Sequence, residues 1–152
     1  MSPFNAFLIG LGIETLPLRM RKHVENAREV AKFLSSSGRV ERVHYVDYSN
    51  SEQQGLAQKY LSGSGGAVFC FDLKGGRAQG TKFIESLQLF SHLANVGDAK
   101  SLVIHPASTT HRQLSDEELS HAGIGPGTIR LSVGIEDLQD LLADLGNGLD
   151  AV

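Results

Sequence analysis

Gly127-Thr128-Ile129-Arg130-Leu131-Ser132-Val133-Gly134 alternates between apolar and polar residues along its length. In extended backbone, successive side chains point to opposite faces. Ile129, Leu131 and Val133 therefore share one face, and Thr128, Arg130 and Ser132 share the other. Glu136-Asp137 follows and opens a helix that places Leu138, Leu141, Leu142 and Leu145 on one side. A strand with one dry face feeding an amphipathic helix is the unit of a two-layer α/β domain.

Upstream of that unit the pattern repeats. Ser115-Asp116-Glu117-Glu118 has the capping-box form, with serine at the cap and glutamate three residues on, and Gly123 with Gly125-Pro126-Gly127 ends the short helix it starts. Ala67 to Leu73 is the strongest strand. Its nearly continuous apolar character predicts cover on both faces. Gly75-Gly76 breaks it before a helix from Arg77 to Leu87, with Phe83, Ile84 and Leu87 on one side. Leu89 to Ala94 and Ser101 to Ile104 are short strand candidates on either side of the Gly97-Asp98 turn. Val40, Val43 and Val46 mark a strand between Arg39 and Tyr48, and Ser51-Glu52 opens a helix reaching Leu61.

At the start, Ser2-Pro3 reads as a cap followed by proline at the first helical position. Phe4, Phe7, Leu8 and Leu11 then recur at helical spacing. Pro17 kinks or breaks that helix, and a second phase carries Met20, Val24, Ala27, Ala31 and Leu34 to the Ser35–Gly38 stop. The expected organisation is a leading kinked helical arm over residues 1–38 and a small α/β (α+β) domain over residues 39–152. The sheet should be mixed but mainly antiparallel, with helices on one face.

Composition limits the function. The chain has 152 residues, 41% hydrophobic and 20% charged, which is enough for one buried core. A net charge of −3 argues against nucleic acid as a partner, since phosphate binding needs a concentrated basic face. The one basic cluster, Arg19 to His23, lies at helical spacing among acidic neighbours. Cys70 is the only cysteine and sits in an apolar run, so no intrachain disulfide forms and a cytoplasmic location is expected. Pro17 and Arg19 interrupt the first apolar stretch well short of a membrane span, so no membrane partner is expected either.

Arg130 is the best candidate for chemistry. Its guanidinium is a planar fork that pairs bidentately with a carboxylate, the group every amino-acid substrate shares. Spacing alone favours the plainer reading, a surface arginine on a half-exposed strand. Asn95, before Val96-Gly97, stands at a strand-to-turn position where a side-chain amide can donate and accept. The His105-Pro106-Ala107-Ser108-Thr109-Thr110-His111 segment reads as structural rather than metal-binding, because a spacing of six fits no zinc pattern. Gly75-Gly76-Arg77 precedes a helix but lacks the Gly-Lys-Ser/Thr ending of a phosphate loop. Lys82, after Thr81, lies inside an amphipathic helix and should face solvent.

Three stretches together carry a resemblance: Gly12-Ile13-Glu14-Thr15-Leu16-Pro17-Leu18-Arg19-Met20, Asn95 through His111, and Gly127 through Gly134. Over nearly its whole length the chain resembles the C-terminal domain of the Cys/Met-metabolism pyridoxal-phosphate (PLP) enzymes, and most closely their sulfhydrylase branch. The resemblance implies the small domain of fold-type I PLP enzymes, entered by a long kinked helix. It implies γ-replacement on O-acetyl-L-homoserine by sulfide or a thiol, with Arg130 clamping the substrate α-carboxylate and Asn95 beside it. The family holds PLP on a lysine in a Ser-x-Thr-Lys context, and no lysine of this sequence has that context. PLP is therefore expected in a full-length parent and none on this chain. The expected partners are the parent's large domain, further subunits of a homo-oligomer and a small amino-acid substrate. The arm's apolar side, left uncovered, should drive self-association. Cystathionine γ-synthase or a γ-lyase is the alternative within the family, and a stand-alone non-catalytic binding or assembly module lies outside it.

Overall fold

The computed structural model describes residues 1–152. Five strands form one sheet: β1 (Val40–His44), β2 (Val68–Leu73), β3 (Ser91–His92), β4 (Leu102–Ile104) and β5 (Thr128–Ser132), in the spatial order β1-β2-β5-β4-β3. Every neighbouring pair is antiparallel except β3 with β4. Six helices accompany them: α1 (Pro3–Glu14), α2 (Leu16–Ser35), α3 (Ser51–Leu61), α4 (Arg77–Ser86), α5 (Asp116–His121) and α6 (Leu138–Asp150).

The core lies between one face of the sheet and helices α2, α4 and α6. Ile129, Leu131 and Val133 from β5 meet Phe69, Phe71 and Leu73 from β2. Ala27, Val30, Ala31 and Leu34 from α2, Phe83 from α4 and Leu141, Leu145 and Leu149 from α6 close over them. The Phe71 and Phe83 rings meet edge to face at 5.7 Å between centroids, a favoured geometry for two quadrupoles. The alternation of β5 is thus realised. On β2 it replaces the expected double cover: Phe69, Phe71 and Leu73 are buried, while Val68, Cys70 and Asp72 on the other face are half-buried.

The α2 face is rotated from the expected one. Ala27, Ala31 and Leu34 are buried, but Met20 is exposed and Val24 only half-buried. His23, Asn26 and Val30 take the inner positions instead. The reason is polar. The loop leaving β5 has carbonyls with no strand partner, and His23 Nδ1–H donates to Val133 O (2.6 Å) while Asn26 Nδ2 donates to Gly134 O (3.1 Å) and Glu136 O (2.9 Å). Unpaired buried carbonyls cost more than the apolar area those side chains give up.

Helices α1 and α2 meet at Thr15. Pro17 has no N–H for an i−4 bond, so the ladder stops. Arg19 braces the junction by donating Nη2–H to Gly12 O (2.5 Å) and Nε–H to Thr15 Oγ1 (3.3 Å). No residue of α1 is buried, although Phe4, Phe7, Leu8, Ile9, Leu11 and Ile13 all lie on it. A helix apolar on every side is characteristic of a covered environment.

The Leu89–Ala94 strand expected from sequence shrinks to Ser91–His92. Backbone N–H groups of Gln88, Leu89 and Phe90 donate to the buried carboxylate of Asp144 on α6, at 2.8, 2.9 and 3.1 Å, and so are taken from any ladder. The α5 capping box forms as expected between Ser115 and Glu118.

Candidate functional site

Because β5 is central, the face opposite the helices is where its polar residues converge with those of its neighbours. Arg130 stands in register with Cys70 on β2 and Ile104 on β4, and Cys70 in turn with His44 on β1. Residues in register across antiparallel strands point the same way. The half-buried Arg130 therefore projects from the face away from α2, α4 and α6.

The parallel pairing of β3 and β4 supplies the second wall. Two adjacent parallel strands cannot be joined by a hairpin, so the connection must cross over a face of the sheet. Residues 93–101 make that crossing on Arg130's side as a short strap, and Arg130 Nη2–H donates to the main-chain carbonyl of Asn95 (3.3 Å). The two candidate residues are thus brought together, but through Asn95's backbone. Its side chain folds back, Oδ1 accepting the N–H of Val96 (2.9 Å). Arg130 has no carboxylate partner within the chain, and this is its one hydrogen bond. A half-buried guanidinium with most of its five donors unpaired is able to receive an anion.

Two rows of the same face are occupied with structure. Asp72 accepts Nε2–H of His44 (2.6 Å) at one oxygen and Oγ1–H of Thr128 (2.5 Å) at the other, and Thr128 Oγ1 accepts the N–H of Gly125 (2.9 Å). This relay fixes the Gly125–Gly127 turn that delivers β5. Burial pushes the Cys70 thiol up, outweighing the pull of the Arg130 cation, so Cys70 stays a neutral thiol beside the guanidinium.

The other candidates resolve into scaffold. Arg77, the first residue of α4 after Gly75-Gly76, donates to Asp116 Oδ1 (2.6 Å), Leu114 O (2.8 Å) and Ala107 O, leaving its fork engaged. His105 is fully buried, donating Nε2–H to Pro126 O (2.8 Å) and accepting Oγ–H of Ser108 (2.9 Å) at Nδ1. No three His, Cys, Asp or Glu side chains converge as a metal shell would. Burial, reinforced by the nearby Arg77 cation, holds the His105 pKa below its ordinary value near 6.5. The unfolded chain thus takes up the proton first on acidification. The stabilisation from neutral His105 is complete above pH 6.5 and is lost as pH falls through the lowered native value. Thermal melts of wild type and His105→Asn between pH 7.5 and 5 should show a fall in Tm below pH 6.5 that is shallower in the variant.

Sequence reasoning passed over three carboxylate or hydroxyl groups around the strap: Asp144, Glu136 and Ser101. Asp144 did leave a signal, an acid on the same stripe of α6 as Leu141 and Leu145. Glu136 and Ser101 left none, because they meet only through the fold.

A family model described as Cys/Met metabolism PLP-dependent enzyme matches residues 1–150. The chain belongs to that family. It is 51% identical over 150 residues to the O-acetyl-L-homoserine sulfhydrylase of Leptospira meyeri, an alignment covering 98% of this chain and 34% of that protein. The L-methionine gamma-lyase of Pseudomonas putida is 46% identical, with 99% of this chain and 38% of that protein covered. Among solved structures, a putative O-acetylhomoserine (thiol)-lyase from Campylobacter jejuni, containing N'-pyridoxyl-lysine-5'-monophosphate, superposes with a TM-score of 0.88 at 42% identity. That superposition covers 99% of this chain and 36% of that one. The chain spans about a third of the length of the relatives it matches. The mixed sheet with its helical layer is the fold of the corresponding third of these fold-type I enzymes.

The family is PLP-dependent, yet the residues of this chain do not fit an anchor for the cofactor. Lys32, Lys59, Lys74, Lys82 and Lys100 are exposed, and Lys22 lies half-buried on α2. Lys74 donates to Gly38 O (2.7 Å) and Lys32 lies beside Glu29 (3.8 Å). None of these lysines lies on a strand of the sheet, and Arg77, the first residue of α4, is engaged through all three of its guanidinium nitrogens. The unpaired donors of Arg130 can pair with a carboxylate. No helix is long and apolar enough to cross a membrane.

Proposed function

We propose that this chain is the C-terminal, substrate-carboxylate-binding portion of an O-acetyl-L-homoserine sulfhydrylase, with residues 1–38 as the arm leading into it and 39–152 as the small domain. The parent replaces the acetoxy group at Cγ of O-acetyl-L-homoserine with sulfide or a thiol and works in the cytoplasm. PLP is bound by the two-thirds of the parent's length outside this chain. Within this portion Arg130 takes the substrate α-carboxylate in its fork, and the strap at Asn95 forms the adjoining wall. The large domain and further subunits of a homo-oligomer cover α1.

One observation carries this reading: a half-buried guanidinium without an ionic partner, projecting from the face of the sheet opposite α2, α4 and α6. The sulfhydrylase assignment over a γ-lyase or cystathionine γ-synthase is supported by the Asn95-Val96-Gly97-Asp98 form of the strap. Identities of 51% and 46% lie too close to divide sulfhydrylase from lyase by themselves. The intact protein, given O-acetyl-L-homoserine, should form homocysteine with sulfide much faster than cystathionine with cysteine, and should release little ammonia from methionine. Preferred use of cysteine, or rapid ammonia release, would overturn the sulfhydrylase reading while leaving the carboxylate clamp standing.

A further inference from the structure

We propose that Glu136 is a positioning residue for the carboxylate site, acting with Ser101 at the root of the strap; this rests on the assignment of Arg130 above. Glu136 stands beyond the end of β5, in the turn before α6. Its residue type predicts a helix-opening acid, but its side chain turns away from α6. Oε1 accepts the backbone N–H of Ser101 (2.6 Å) and Oε2 accepts the Ser101 hydroxyl (2.9 Å). Ser101 is fully buried, and its Oγ also accepts the N–H of Gly134 (2.7 Å). Ile135 N–H donates to Ala99 O (3.0 Å) from the same turn.

This stitching joins the exit of β5 to the end of the strap. It is also tight. A Cβ on Gly134 would overlap the carbonyl oxygen of Ala99 and stand 2.6 Å from the nitrogen of Ser101, so glycine is required by space there. Upstream of the strap, Asp144 holds residues 88–90 through three N–H donors. Between these two anchors nothing in the strap is buried, and its contact with Arg130 is the Asn95 carbonyl. An exposed segment of this length keeps one conformation only if its ends are fixed. The Glu136 carboxylate, by gripping both donors of one buried residue, sets where the strap ends and hence the rotation of the guanidinium fork.

The consequence is selective. Loosening the strap should weaken recognition of the carboxylate, not of the amine or the side chain. Inhibition of the intact enzyme by L-norvaline and by n-butylamine separates these, because the two probes differ by the carboxylate alone. In Glu136→Gln one donor of Ser101 faces an amide NH2 instead of an acceptor. The Ki for L-norvaline should rise roughly tenfold and that for n-butylamine should stay within a factor of about two. Ser101→Ala, which removes only the hydroxyl link, should move L-norvaline in the same direction by less. An equal rise for both inhibitors would mean a merely structural role, and no rise for either would mean that the strap needs no anchor; both overturn the proposal. Arg130→Lys, run in parallel, keeps the two readings apart. If it erases the preference for L-norvaline while Glu136→Gln does not, only the positioning role falls. If it leaves the preference intact, the carboxylate site itself is elsewhere and the proposal falls with it.

Discussion

If the proposed sulfhydrylase reading holds, Arg130→Lys should lower kcat/KM of the intact enzyme for O-acetyl-L-homoserine by about two orders of magnitude, and Arg130→Ala by about three. Truncating one partner of a desolvated, hydrogen-bonded charge pair costs roughly 2–5 kcal/mol, and each 1.4 kcal/mol is about tenfold. Lysine keeps the charge, so long-range attraction survives. It loses the parallel N–H pair that fixes the plane of the carboxylate, and with it the direction in which Cα presents its hydrogen. Alanine loses both. The split between the constants is informative: a clamp that binds ground and transition states alike appears in KM, and one that orients Cα appears in kcat as well. Here kcat should fall too, because the guanidinium is held by β5 on one side and by the Asn95 carbonyl on the other. Steady-state kinetics with folding checked by circular dichroism would test this. A lysine variant within a factor of two of wild type would place the clamp on another residue.

How much of this can be read from the sequence depends on how local the cause is. The β5 strand announces itself, since alternation over Thr128 to Val133 needs no knowledge of the remainder of the chain, and so the face on which Arg130 lies is readable too. The same holds for α6, whose leucines recur at helical spacing, and for the Ser115 capping box, which closes within four residues. Failures occur where a distant group overrides local propensity. Leu89 to Ala94 has strand-forming residues, yet Asp144, more than fifty positions away, takes its N–H groups. His23 and Asn26 look like the polar face of α2 until β5 ends against it with bare carbonyls. Asn95 reads as a residue at the edge of a turn, but its contact with Arg130 through the backbone follows from the crossover that parallel β3 and β4 impose. Glu136 reads as a helix opener by position and is a strap anchor by geometry.

Asp144→Ala should be among the most destabilising single substitutions in this chain, at about 3–5 kcal/mol. Its carboxylate is only 6% exposed and accepts three backbone N–H groups. Hydrogen bonds to a charged acceptor contribute roughly 1.5–3 kcal/mol each, and removing the acceptor leaves three donors with no replacement partner in the chain. An asparagine side chain in the same place keeps the shape but offers one oxygen, and its NH2 opposes one of the donors. Asp144→Asn should therefore lose about half as much. Arg28→Ala is the contrasting control, because the Arg28–Asp47 pair (3.0 Å) is exposed on both sides, and such pairs contribute about 0–1 kcal/mol. Urea unfolding of the chain should show the midpoint falling steeply for Asp144→Ala, partly for Asp144→Asn and barely for Arg28→Ala, with the slope unchanged. Against a total stability of about 5–15 kcal/mol for a domain, the first loss removes a large share of the margin. The segment it frees is the one that leads into β3 and the strap, so residues 88–95 should gain amide exchange in Asp144→Asn before the rest of the sheet does. Uniform exchange across the sheet would show instead that the carboxylate holds the whole domain together, with no special hold on the approach to Arg130.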